Sequence, residues 1–174
     1  MSRLAGAIAA VALCALAAGC GFELRGEPTV GLRSIELAGS VPSTVIADIK
    51  RILATGTTRV VASDKDAEAI LRVTAESREK LVHTITGTGR VYDFQLRLLV
   101  TFELDVPGRG EPVIAPTEVV TTRLITYNEA APTAKEAEER LLYQDMQTEL
   151  ASRILRQVAV ARRETPAAFA PPPQ

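Results

Sequence analysis

Few residues in this chain are equipped for chemistry, and each has an ordinary structural reading beside a functional one. His83 is the only histidine in 174 residues, so no imidazole cluster can hold a metal. A Ser-His-Asp relay would need a nucleophile on a sharp strand-to-helix turn, and no such elbow is present. His83 therefore reads as a strand or loop histidine. Gly87-Thr88-Gly89 is followed by no helix start that could cradle a phosphate, and reads as a hairpin loop. Glu136, Glu138 and Glu139 fall in the first turns of an expected helix, where carboxylates favour the macrodipole. Two cations remain. Arg90 ends the glycine loop, and Lys135 stands at the start of the last expected helix. If the strands between them are antiparallel, both lie at one end of a sheet. There they could hold an anionic headgroup; the competing reading is two ordinary surface cations. With no catalytic residue and no metal ligand in view, the chain reads as a non-enzyme.

Cys20 is of a different kind. Ser2-Arg3 is a short basic start, Leu4 to Ala18 is almost wholly Ala, Val, Leu and Ile, and small residues precede the cysteine. That is the layout of an export signal, and it is too short for a retained spanning helix of roughly 20 apolar residues. Leu16-Ala17-Ala18-Gly19-Cys20 resembles the lipobox of bacterial lipoproteins. The resemblance implies cleavage before Cys20 and a covalent N-acyl and S-diacylglycerol lipid on it, and no other cofactor. Gly21 stands where an Asp would suggest retention at the inner membrane, so the outer membrane is the expected address. Each buried methylene contributes about 0.8 kcal/mol, and two or more chains make such anchoring stable.

Removing residues 1–19 leaves 155, enough for one domain with a real core. Cys14 departs with the signal and Cys20 would be acylated, so no thiol remains to pair and the fold must rest on packing. The net charge of −1 becomes about −2 without Arg3. Together with 4% aromatics, that argues against nucleic acid as a partner.

The elements follow from periodicity. Ile35 and Leu37 alternate with Ser34 and Glu36 in a short first strand. From Pro42 a helical run places Val45 or Ile46, Ile49 and Leu53 on one face and Asp48, Lys50 and Arg51 on the other, with Gly56 to stop it. Arg59 to Ala62 reads as a short extended piece. Leu71, Val73 and Ala75 alternate with Arg72, Thr74 and Glu76, continuing towards Val82. The clearest alternation puts Tyr92, Phe94, Leu96, Leu98, Val100, Phe102 and Leu104 on one face. Asp93, Gln95, Arg97, Thr101, Glu103 and Asp105 share the other, with Leu99 the exception. Pro107-Gly108-Arg109-Gly110 turns the chain into a second long strand, Val113 to Tyr127, where Pro116 implies a bulge or an edge. Thr133 and Glu136 have the spacing of a capping box. They open a helix with Leu142, Met146, Leu150, Ile154 and Val158 every fourth residue, widened by Leu141, Ala151 and Leu155.

The expected fold is α+β: a two-layer sandwich with two helices on one face of a roughly four-stranded mixed or antiparallel sheet of long strands. The expected organisation is a signal at 1–19, a lipidated tether at 20–31 and one domain at 32–162. A Pro- and Ala-rich tail without order follows at 163–174.

The start of the mature chain, Cys20-Gly21-Phe22-Glu23-Leu24-Arg25-Gly26, resembles that of the LptE family, whose members commonly begin Cys-Gly-Phe/Trp-His-Leu-Arg. Glu23 departs from the usual His. The order of elements, the Tyr92–Gln95 entry to the longest strand, the Val106–Arg109 turn and the long last helix extend the likeness over most of residues 20–160. The resemblance implies an outer-membrane lipoprotein that plugs the β-barrel of its partner LptD, helps it assemble and assists lipopolysaccharide delivery. It also implies lipopolysaccharide binding through basic residues near one end of the sheet, at Lys135 and, by a looser match, Arg90. The outer sheet face, with Asp93, Gln95, Arg97, Thr101 and Glu103, suits a polar barrel lumen. The alternative is a periplasmic accessory lipoprotein of a lipid or solute transport complex, which would not need Phe22 and Leu24-Arg25. An enzyme of envelope glycans or lipids has no residues to support it.

Overall fold

Strand β4, Val91–Asp105, is the axis of the fold. In a computed structural model of the chain, residues 30–39, 42–85, 87, 91–127 and 132–170 are described. Leu96, Leu98, Val100, Phe102 and Leu104, every second residue of β4, are fully buried. Antiparallel neighbours flank it: β3, Ala69–Ile85, on one side and β5, Ile114–Thr126, on the other. The sheet continues past β3 through β1, Ser34–Gly39, to β2, Arg59–Val61, both parallel to β3. The sheet is thus mixed and has five strands where about four were expected. The fifth is the short extended piece at Arg59, three residues long.

Two helices cover one face of the sheet. Helix α1, Thr44–Thr55, buries Val45, Asp48, Ile49 and Leu53. Ser43 caps it, its hydroxyl accepting from the Ile46 N–H at 3.1 Å, and the Gly56 N–H donates to the Leu53 carbonyl at 3.1 Å. Asp48, expected on the polar side, is buried because Arg51 pairs with it and the Thr148 hydroxyl donates to it at 2.9 Å. Helix α2, Pro132–Glu164, has 33 residues. At about 1.5 Å per residue it runs roughly 50 Å, the length of a 15-residue strand at about 3.4 Å per residue. It therefore spans the whole of β4. Met146, Leu150, Ile154 and Val158 are buried as expected, but Leu141 is 62% exposed. Tyr143 and Gln147 widen the stripe in its place. The helix begins at Pro132, a residue type favoured in the first turn, so Thr133 lies inside that turn instead of capping it.

The turns obey their chemistry. Val106-Pro107-Gly108-Arg109 closes with the Arg109 N–H donating to the Val106 carbonyl at 3.1 Å. Gly108 has φ +82°, as the third position of a type II turn requires. Pro116 sits on the edge strand at a bulge, where three steps of β5, Ile114 to Thr117, oppose two of β4, Leu104 to Phe102. At the base of the domain, order extends further than expected at both ends. Val30, assigned to the tether, is buried. Residues Pro166–Phe169, assigned to the disordered tail, form a 3₁₀ turn that buries Phe169. The Arg162 guanidinium lies 5.0 Å from that ring centroid and 3.2 Å from Glu68, so a single aromatic and a shared cation hold the segment down.

The edge strand is also tied to α2 by charge. Arg123 Nη2 lies 2.5 Å from Glu149 Oε2, and that hydrogen bond is the main reason the Glu149 carboxyl sits below its ordinary pKa. A carboxylate depressed in the folded state adds stability above its unfolded pKa, near 4.5, and loses it as pH falls through the lower folded value. Arg123→Ala is therefore expected to lose less stability than wild type when urea melts are taken from neutral pH into that acid window. Both side chains are 39% exposed, so the difference is small and shrinks in salt. Identical acid sensitivity in the two proteins would remove the pair from the account.

Candidate functional site at the distal end of the sheet

A bulge in β3 decides what faces the helices. Val73 pairs with Phe102 and Ala75 with Thr101, so Thr74 is an extra residue opposite a single step of β4. Before it, Leu71 and Val73 point to the core. After it the parity reverses: Glu76, Arg78 and Lys80 stand opposite Val100, Leu98 and Leu96, on the helix side. The alternation read from sequence, with Ala75 facing inward and Glu76 outward, is therefore overturned beyond Val73. The reversal has two products. Glu76 reaches the start of α1 and accepts from the Ser43 hydroxyl at 2.6 Å, the Thr44 hydroxyl at 2.5 Å and the Val45 N–H at 3.3 Å. Beyond α1, polar side chains floor the space between β3 and α2.

The distal end is built where β3 gives way to β4, β5 ends and α2 begins. The Tyr127 N–H donates to the Tyr92 carbonyl at 2.8 Å, and the Phe94 and Tyr127 rings meet edge-on with centroids 5.8 Å apart. Lys80 Nζ stands 4.7 Å from the Phe94 centroid and 2.6 Å from Glu139 Oε2. Lys135 Nζ lies 2.8 Å from Glu138, three residues along the same helix, which occupies one of its three donors. Lys135, Lys80, Phe94, Ile125 and Tyr127 line a pocket of about 190 Å³, together with the carboxylates of Glu136 and Glu139. Val82, Tyr92 and Tyr127 add exposed apolar surface there. A cation beside an aromatic and aliphatic wall can take the charged group and the adjoining apolar part of an amphipathic molecule.

Lys135 thus lies at the sheet end where it was expected. Arg90 lies outside the described residues, although the strands on either side of it, ending at Ile85 and beginning at Val91, pair at this same end. Cys20 also lies outside them. Sequence reasoning missed Lys80 and Arg78, because nothing in Glu76-Ser77-Arg78-Glu79-Lys80 marks which charges turn inward. His83 is exposed at a second irregularity, between the pairs Val82–Phe94 and Thr84–Asp93. Among the described residues no group of three or more His, Cys, Asp or Glu could hold a metal, and no helix is long and apolar enough to cross a membrane.

The outer sheet face is mixed. Arg97 pairs with Glu79 at 3.0 Å and Arg72 with Glu103 at 2.9 Å, while Leu81 and Leu124 flank Gln95 in register and are exposed.

The fold defines a class. A solution structure of a lipoprotein B from Nitrosomonas europaea aligns with TM-score 0.70 at 29% identity, over 83% of this chain and 93% of that one. The crystal structure of the rare lipoprotein B from Shewanella oneidensis shares the fold with TM-score 0.68 at 23% identity, over 76% and 98%. The molecule therefore has the α+β sandwich of bacterial lipoproteins. The family model described as "LptE: Lipopolysaccharide-assembly" matches residues 32–158. An LPS-assembly lipoprotein LptE of Yersinia pestis is 32% identical over 81% of this chain and 69% of its own length. That of Pectobacterium atrosepticum is 28% identical over 82% and 78%. The chain belongs to the LptE family, and is a non-enzymatic lipoprotein of lipopolysaccharide assembly.

Proposed function

We propose that the protein is held in the outer membrane by a lipid on Cys20, fills the lumen of the β-barrel LptD, and assists the transport and surface insertion of lipopolysaccharide. It binds lipopolysaccharide at the distal end of the sheet, through Arg90 and Lys135. The observation that carries the binding is the placement of Lys135 beside Phe94, Ile125 and Tyr127. An anionic headgroup can meet the ammonium while the start of its acyl region meets the rings. Family membership supports the role in assembly. The charged pairs of the outer sheet face support a seat in a polar lumen, with Leu81 and Leu124 free to meet apolar side chains there.

A mild-detergent pull-down of the tagged full chain from outer membranes is expected to recover one large barrel protein in a one-to-one complex. Recovery of the lipoprotein alone, or of a periplasmic transporter component, would overturn the plug. Charge reversal at both cations, Arg90→Glu with Lys135→Glu, is expected to weaken lipopolysaccharide binding about tenfold or more while the barrel still co-purifies. Unchanged binding would return both residues to the solvated surface.

A further inference from the structure

Strand β5 is the last strand of the sheet, and among the described residues no other strand pairs with its outer edge. Which backbone groups that edge exposes follows from the ladder. The Tyr127 N–H donates to the Tyr92 carbonyl, and the register with β4 is unbroken from Thr117 to Thr126. In an antiparallel strand, successive residues direct their backbone groups to opposite sides. The odd-numbered residues from Thr117 to Ile125 therefore bond to β4. Glu118, Val120, Thr122, Leu124 and Thr126 turn their N–H and C=O groups outward.

That outward row is a template for a further strand, and its sequence suits one. From Val119 to Thr126 every residue but Arg123 and Leu124 is β-branched, none is proline, and Arg123 is the only charge. A stretch of this composition pairs with its own copies. A two-fold axis at Thr122 would oppose Val120 of one copy to Leu124 of the other on the outer sheet face, where Leu124 is exposed. The same register opposes Glu118 to Thr126, so no like charges meet.

Two arginines stand in the way. Arg153, on α2, reaches over the edge, and its Nη1 donates to the Val120 carbonyl at 3.0 Å. Arg123 turns back on its own strand. Its Nη1 donates to the Thr122 carbonyl at 2.9 Å and to the Thr121 hydroxyl at 3.4 Å, while Glu149 holds its Nη2. The carbonyls of Val120 and Thr122 are those at the centre of the self-paired register. Below them, the bulge and Pro116, which has no N–H, close the start of the strand. We propose that the outer edge of β5 is a strand-pairing surface for a second copy of this chain, and that Arg123 and Arg153 hold it closed by occupying the Thr122 and Val120 carbonyls. The inference does not depend on what binds at the distal end of the sheet.

Amide exchange of the full chain in mild detergent tests the edge without any substitution. The outward amides of Val120, Thr122 and Leu124 are expected to exchange at least about a hundredfold faster than those of Thr121, Arg123 and Ile125. Equal rates would overturn the edge. Sedimentation equilibrium then tests the arginines. Arg123→Ala with Arg153→Ala is expected to dimerise at least about tenfold more tightly than wild type, with slowed exchange at Val120 and Thr122. Arg153→Ala alone keeps the Arg123–Glu149 pair and is expected to fall in between; it carries the test if the double variant unfolds. Adding Thr122→Pro removes an outward N–H and no bond to β4, and is expected to restore the monomer. Variants as monomeric as wild type would overturn the guarding role. A dimer that survives Thr122→Pro would overturn the pairing surface, because it forms elsewhere.

Discussion

Replacing Phe102 with alanine is expected to cost the domain about 3–5 kcal/mol and to lower its melting temperature by roughly 10 °C. Phe102 is the largest of the fully buried side chains. It lies on the central strand, paired with Val73 on one side and Thr117 on the other, beneath the helical layer. Backbone pairing on both sides prevents the sheet from closing over the gap, so the loss includes a cavity as well as the missing contacts. Leu124→Ala, on β5 at 57% exposure, is the control and should change stability by no more than about 0.5 kcal/mol. Urea denaturation of both variants decides the matter. Comparable midpoints would mean that the inward face of β4 is not the core.

Glu76→Ala is expected to cost about 2 kcal/mol, although the residue is neither apolar nor fully buried. Its carboxylate accepts three hydrogen bonds at the start of α1, from two hydroxyls and one backbone N–H, and its charge faces the positive end of the helix. Removing it leaves the Ser43 cap in place but unties α1 from β3. Amide exchange is expected to speed up in the first turn of α1 while the second half of α2 stays protected. Because the Thr44 hydroxyl also accepts from Arg78, the substitution should loosen the polar floor between β3 and α2 as well. Exchange rates and stability indistinguishable from wild type would show that Ser43 alone secures the helix. Glu76→Gln separates charge from shape, since the amide oxygen can still accept but carries no charge to face the helix start.

Strong periodicity was legible without any structure. The inward set from Leu96 to Leu104, the Met146 to Val158 stripe, the turn at Pro107-Gly108 and the placement of Pro116 each follow from local rules, because each depends on residues a few positions apart. The motif at Cys20 and the family likeness are local in the same sense. The end of the sheet holding Lys135 followed from strand direction alone.

Other features were decided only by tertiary structure. One extra residue at Thr74 reverses the faces of β3, and no local signal announces it, because Glu76 to Lys80 is polar in either phase. That reversal brings Glu76 to α1 and sets Arg78 and Lys80 against α2, so half of the candidate site depends on it. Asp48 is buried because Thr148, a hundred residues later, donates to it. Phe169 is ordered because Arg162 and the base of the domain receive it. Spacing along a chain determines which residues share a face. Which polar residues are drawn inward depends on partners that only the folded chain brings within hydrogen-bonding distance.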